Sequence, residues 1–201
     1  MCGRFYVDDE TARDIERIVR KIDKDLWNNG DVHPSEQAFA LQVTDDGKEI
    51  EAKQQSWGYT MSGRTGLIFN ARSETVLQKP FFRTDFEYRR AIIPAKKFYE
   101  WKAVDRKNKE KYEFYDNRSS LYLAAIFHLS DRGKQFTIIT RPAAGCMVGI
   151  HDRMPLILEK EDIEGWLFSK KAACKLLENC FGQLHRRKSD IELYQQLSLF
   201  C

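Results

Sequence analysis

The sequence predicts a single α+β domain. Apolar stretches of strand length fill the middle of the chain, helical periodicity is confined to its two ends, and no repeat or low-complexity segment interrupts the pattern. A chain of 201 residues, 42% hydrophobic and 31% charged, has room for a substantial core and suits a soluble globular protein.

Asp8 and Asp9 are placed to cap a first helix. Its stripe would run through Ile15, Ile18, Val19, Ile22 and Leu26, and residues 28–31 (Asn-Asn-Gly-Asp) end it as a loop. Gln37 to Val43 reads as a strand, turned at Asp45-Asp46-Gly47 into a second strand, a hairpin. Residues 58–66, with three glycines, read as a loop. Ala91–Ile93, Tyr112–Tyr115, Leu121–Phe127 and Phe136–Thr140 read as strands, the last two joined by a turn at 131–134, and Pro155–Leu158 is a further apolar run. Asp162–Phe168 then reads as a helix, and Ser169 caps another through Phe181. Residues 186–190 read as a polar break before the tail.

No apolar stretch approaches the roughly 20 residues that span a bilayer, and the N-terminus lacks the apolar core of a signal peptide. Five cysteines without framework spacing favour a reducing compartment, so a cytoplasmic location is expected. The net charge of +3 permits a nucleic-acid partner without demanding one. Basic runs at Arg89-Arg90, Lys96-Lys97, 107–111 and 186–188 are suggestive, although each also fits a solvated face. There is no phosphate loop or dinucleotide fingerprint, and no cofactor is expected. Cys174, Cys180 and His185 match no common zinc spacing, so no metal is expected either.

Chemistry concentrates in four segments. In Met1-Cys2-Gly3-Arg4, removal of Met1 would leave Cys2 with an α-amine and a thiol on one residue. The amine condenses with an aldehyde to an imine, and the thiol closes on the imine carbon to give a thiazolidine. With ordinary pKa values of roughly 8 for the amine and about 8.5 for the thiol, both nucleophiles are accessible near neutrality. Asn70, in Asn70-Ala71-Arg72-Ser73-Glu74-Thr75, can orient a reactant through its amide. Glu100 lies among Phe98, Tyr99 and Trp101, where an apolar setting would raise its pKa toward acid–base work. His151, followed by Asp152 and Arg153, can shuttle protons. The guanidiniums of Arg4, Arg72 and Arg153 suit phosphate. Taken alone, Cys2 also fits a buried small residue, Glu100 a carboxylate at a strand edge and His151 a structural turn residue.

Together, Met1 to Phe5, Asn70 to Thr75, Phe98 to Lys102 and Ile150 to Pro155 resemble the signature blocks of the SRAP family, the SOS-response-associated peptidases or abasic-site processing proteins. Weaker blocks agree in order at Pro34–Ala40, Trp57-Gly58, Lys79–Arg83 and Arg90–Pro94, and the resemblance covers about residues 1–168. It implies a mixed, barrel-like β core flanked by helices, with 1–168 as catalytic and DNA-binding domain, 169–190 as a helical extension and 191–201 as a tail. It implies an abasic-site sensor in single-stranded DNA that crosslinks itself through Cys2 in the DNA-damage response. By similarity Glu100 and His151 supply acid–base steps and Asn70 holds the sugar or the N-terminus. Arg4, Arg72 and Arg153 would hold phosphates, with Trp57 and Trp101 offering stacking surface. Two alternatives are a thiol peptidase with autoprocessing and a non-catalytic DNA-binding adaptor. A monomer with no membrane partner is expected. Gln196-Leu197-Ser198-Leu199-Phe200 resembles the pentapeptide with which bacterial repair proteins dock on the replication sliding clamp; its end position makes it accessible.

Overall fold

In the computed structural model, which describes residues 2–19, 22–23, 26–61, 65–178 and 181–189, the strands form two main sheets packed face to face. The first half runs β1 (Phe5–Val7), α1 (Asp9–Glu16), β2 (Gly30–Val32), β3 (Gln37–Val43), β4 (Ile50–Trp57), β5 (Tyr59–Thr60), β6 (Leu67–Ile68), β7 (Asn70–Arg72) and α2 (Pro80–Tyr88). The second runs β8 (Arg90–Ala95), β9 (Lys97–Ala103), β10 (Lys109–Tyr115), β11 (Leu121–Ser130), β12 (Gly133–Pro142), β13 (Arg153–Pro155), β14 (Ile157–Leu158), α3 (Ile163–Phe168), α4 (Lys170–Leu176) and β15 (His185–Lys188).

Strands β12, β4, β3, β8 and β11 pair in that order, and β11 pairs back to β12, which closes a five-stranded barrel. Its pairs are antiparallel except β12 with β4, so the core is mixed as well as closed. A second sheet, β15-β10-β9-β1-β2, packs against it, while β7 and β13 both attach to β12. The pleat sorts the apolar residues into two clusters. Phe39, Leu41, Ile92, Ala124 and Ile126 pack with the helices, whereas Ala38, Ala40, Ile93, Leu123 and Ala125 pack with Phe5, Phe98 and Phe114 of the five-stranded sheet. Several alanines line the second face beside larger apolar side chains, and that cluster, in the seam between the two sheets, holds Cys2.

Several elements differ from the sequence reading. The first helix has the expected cap, with the Asp8 carboxylate accepting from the Thr11 N–H at 2.9 Å, but it ends at Glu16. Val19 and Ile22 still reach the core, so the stripe reported burial rather than one continuous helix, and Leu26 is exposed. Ser169 caps α4 as expected, accepting from the Ala172 N–H, but α4 stops at Leu176. Residues 185–188 are not a polar break: they form edge strand β15, held to β10 by Arg187 on Glu113 at 2.6 Å and Lys188 on Glu110 at 2.7 Å. Helix α2, which has Pro80 in its first turn, was not anticipated.

Arg90 locks the helices to the barrel. Its guanidinium is buried and donates to the carbonyls of Phe86, Glu87, Trp166 and Leu167, the ends of α2 and α3. Arg90→Met keeps the apolar stem but orphans these acceptors. It is expected to lower unfolding free energy by on the order of 3 kcal/mol, measured by urea denaturation. A loss within experimental error would show that water replaces the guanidinium. No helix among the described residues is long and apolar enough to cross a membrane.

Candidate active site

Cys2 has no exposed surface. Its segment runs along β9, with Phe5 opposite Phe98, Tyr6 opposite Lys97, and the Tyr99 N–H donating to the Arg4 carbonyl at 3.0 Å. Continuing that antiparallel register places Gly3 opposite Glu100. From the other side comes Asn70, the first residue of β7, which pairs in parallel with Ile138 of β12. Its Nδ2 donates to the Cys2 carbonyl at 2.8 Å. Just before it, the Phe69 carbonyl accepts from Trp57 Nε1 at 2.9 Å, so the indole steadies the strand that aims the amide.

Glu100 projects into the same seam and is 3% exposed. Burial raises its pKa, while the positive amino terminus and His151 act in the opposite direction. Burial, and next the charge of Glu100, push the Cys2 thiol far above its ordinary value. In this enclosed state the thiol is therefore held protonated. His151 sits between the 3-10 turn Gly145–Met147 and β13. Its Nδ1 accepts from the Arg153 backbone N–H at 2.9 Å, which places the proton of the neutral ring on Nε2. The structure thus brings together one buried thiol, one amide on its carbonyl, one buried carboxyl group and one imidazole of fixed tautomer.

The surrounding expectations divide. Arg72 is exposed and makes no ion pair among the described residues. Arg4 is engaged: its Nε donates to His33 Nε2 at 2.8 Å, Nη1 lies 3.4 Å from Asp31, and the guanidinium sits over Tyr99 and the half-buried Trp101. Arg153 does not present a free fork, because both terminal nitrogens bind the Glu74 carboxylate and Nη2 also donates to the Thr140 carbonyl at 2.6 Å. Those arginine bonds lower the Glu74 pKa to about 2. Trp57 requires a correction. It is fully buried, stacked on Phe136 at 6.0 Å and beside Phe5 at 5.0 Å, and offers no face to a base. An indole in a β-rich seam fills volume, and its sequence neighbours gave no sign of which role it held. The pentapeptide Gln196–Phe200 lies outside the described residues.

A family model described as SOS response associated peptidase (SRAP) matches residues 1–195. The chain belongs to the SRAP family. That match extends beyond residue 168, through α4 and β15. Among curated relatives, the abasic site processing protein YoqW of Bacillus subtilis is 33% identical, over 99% of this chain and 93% of its own. The abasic site processing protein YedK of Escherichia coli is 29% identical, over 83% of this chain and 79% of its own. A crystal structure of a protein from Bacteroides thetaiotaomicron superposes with a TM-score of 0.78, at 22% identity over 93% of this chain and 91% of that one, which shows a shared fold.

The sequence reading passed over Glu74, although it stands within the Asn70–Thr75 block, and Asp31 and His33, which hold Arg4. Glu74 carried a legible signal: a carboxylate four residues after Asn70, just past the short strand β7. Asp31 and His33 carried none, because only the pairing of β1 with β2 brings them beside Arg4.

Proposed function

We propose that the protein captures abasic sites in single-stranded DNA as a thiazolidine on Cys2, after removal of Met1. The observation that carries this reading is the Asn70 amide on the Cys2 carbonyl, beside Glu100 and His151. This anchors residue 2 by its carbonyl and leaves its amine and thiol as the groups available for chemistry. The names of the curated relatives agree with abasic DNA as the substrate.

The steps balance as follows. The closed sugar opens to its aldehyde as a proton moves from the anomeric hydroxyl to the ring oxygen, with Glu100 and His151 as the exchanging groups. The Cys2 amine adds to C1′, and water leaves to form the imine. The thiol then adds its sulfur to the imine carbon and its proton reaches the nitrogen. Aminothiol and aldehyde thereby become thiazolidine and one water. Closure removes the imine, the electron sink that would otherwise acidify C2′ and lead to strand cleavage by β-elimination.

The peptidase reading is the alternative; peptide hydrolysis needs only the thiol of Cys2, whereas capture of an aldehyde uses both of its nucleophiles. Chemical acetylation of the α-amine with the thiol kept free separates the two. Loss of the DNA adduct in intact mass is expected; peptide cleavage that survives acetylation, with no DNA adduct before it, would support the peptidase instead. For DNA, Arg72 supplies an exposed phosphate contact, and Arg4 with Trp101 borders the seam, so binding is sequence-independent and weakens with salt. In the cell we place this activity in the cytoplasm at replicating DNA, with the sliding clamp as partner through Gln196–Phe200 on sequence grounds. Deleting residues 196–201 is expected to abolish clamp binding in a pull-down with purified clamp while leaving crosslinking intact; unchanged binding rejects that partner.

A further inference from the structure

One ion pair beside the site has no part in the chemistry above. Glu74 follows β7, which carries Asn70, and Arg153 begins β13, which follows His151. Both strands attach to β12, with Arg72 opposite Thr140 on one side and Pro155 opposite Thr140 on the other. The Thr140 carbonyl accepts from the Ser73 N–H at 2.8 Å and from Arg153 Nη2 at 2.6 Å. Glu74 grips both terminal nitrogens of Arg153 and also accepts from its neighbour Ser73 Oγ at 3.2 Å. The result is a cross-tie over β12 between the Asn70 segment and the His151 segment.

The tie bears on His151 through one further bond. The same Arg153 whose side chain is clamped donates its backbone N–H to His151 Nδ1. Only three register pairs hold β13 to β12, and Arg153 occupies the last of them, opposite Pro142. This is a wide pair whose backbone groups do not bridge the strands, which leaves the Arg153 N–H to His151, and the next bond across is the Ala143 N–H on the Asp152 carbonyl at 2.9 Å. The side chain adds a second anchorage to this short ladder. With the Arg153 backbone fixed, the imidazole is held as the Nε2–H tautomer; with it loose, the bond that selects this tautomer weakens and the other tautomer gains population.

We propose that Glu74 is a positioning residue for His151, acting through the Arg153 side chain and its backbone N–H. The inference deepens the reading of the site as an abasic-site trap, and rests on it only for the reaction used as one readout.

The test uses the full chain and two variants, Glu74→Gln and Glu74→Ala. Nitrogen NMR of the labelled imidazoles, assigned with His151→Ala, reads the ring state directly. The wild type is expected to show an unprotonated Nδ1 in its neutral ring. Glu74→Ala is expected to show mixed tautomers, with Glu74→Gln intermediate because it keeps one acceptor and the side-chain shape. Crosslinking to abasic single-stranded DNA is then followed in both backgrounds. Glu74→Gln is expected to slow the wild type by about tenfold yet change the His151→Ala protein by less than about twofold, the non-additivity of residues that act as one unit. An unchanged tautomer in a folded Glu74→Gln protein overturns the proposal, as does equal slowing in both backgrounds, which marks a merely structural pair. If the wild type forms no adduct at all, the abasic-site reading falls, and the tautomer alone decides this inference.

Discussion

Cys2→Ala protein is expected to break abasic strands instead of capturing them. Alanine is small enough for Met1 removal, so the variant still presents an α-amine, and its carbonyl still meets the Asn70 amide at the same backbone position. The amine attacks C1′ and forms the imine, but no sulfur follows. The imine then persists, acidifies C2′ and drives β-elimination. Two measurements check this: the stable adduct in intact mass should disappear, and cleaved strand should accumulate, with borohydride trapping a reduced amine adduct on residue 2. The cavity left by the missing sulfur is small, so the fold should survive with a loss of about 1–2 kcal/mol in urea denaturation. A stable, unreduced adduct in Cys2→Ala would remove the thiol from the mechanism. Absence of both adduct and cleavage in a folded variant would remove the amine.

The parts of this molecule that sequence made legible are those governed by local chemistry. Caps at Asp8 and Ser169, the β3–β4 hairpin and the identity of the aminothiol all depend on neighbours within a few residues. Closure of the barrel depends on β11 and β12 meeting β8 and β4, and nothing in a single strand declares its second partner. Strand β15 was illegible for a different reason. Its four residues, His-Arg-Arg-Lys, are all exposed and lack the alternation that marks a half-buried strand. Carboxylates on β10 hold it, and those became its partners only on folding. The site shows the same division. Cys2, Asn70, Glu100 and His151 stood out by residue type and context. The burial of Trp57 and the engagement of Arg4 and Arg153 follow from tertiary neighbours 12 to 79 residues away along the chain.

Glu100→Gln is expected to trade activity for stability, and the sign of each change follows from one buried carboxyl group. On activity, the variant keeps the shape and loses the titrating proton. Removal of a positioned acid–base group slows reaction by about 10²- to 10⁴-fold, so crosslinking should fall into that range. On stability, burial holds the folded-state pKa above the ordinary 4.5. Below 4.5 the carboxyl is protonated both folded and unfolded, and it contributes no pH dependence. As pH rises past 4.5 the unfolded chain releases the proton first, which favours unfolding until the folded group also ionises. The wild type therefore carries a burial penalty at neutral pH that Gln does not. Urea denaturation should find the variant gaining on the wild type as pH rises above 4.5, with the larger advantage at the higher pH. The amino terminus and His151 reduce this gain without reversing it, since the net shift of Glu100 is upward. Neutralising Glu100 also removes one of the two influences that raise the Cys2 thiol, so iodoacetamide should alkylate the variant faster at a given pH. A variant that crosslinks at the wild-type rate would show that His151 alone moves the protons. One that loses stability as pH rises would show that Glu100 serves the fold as a charged partner of the amino terminus instead of the reaction as an acid.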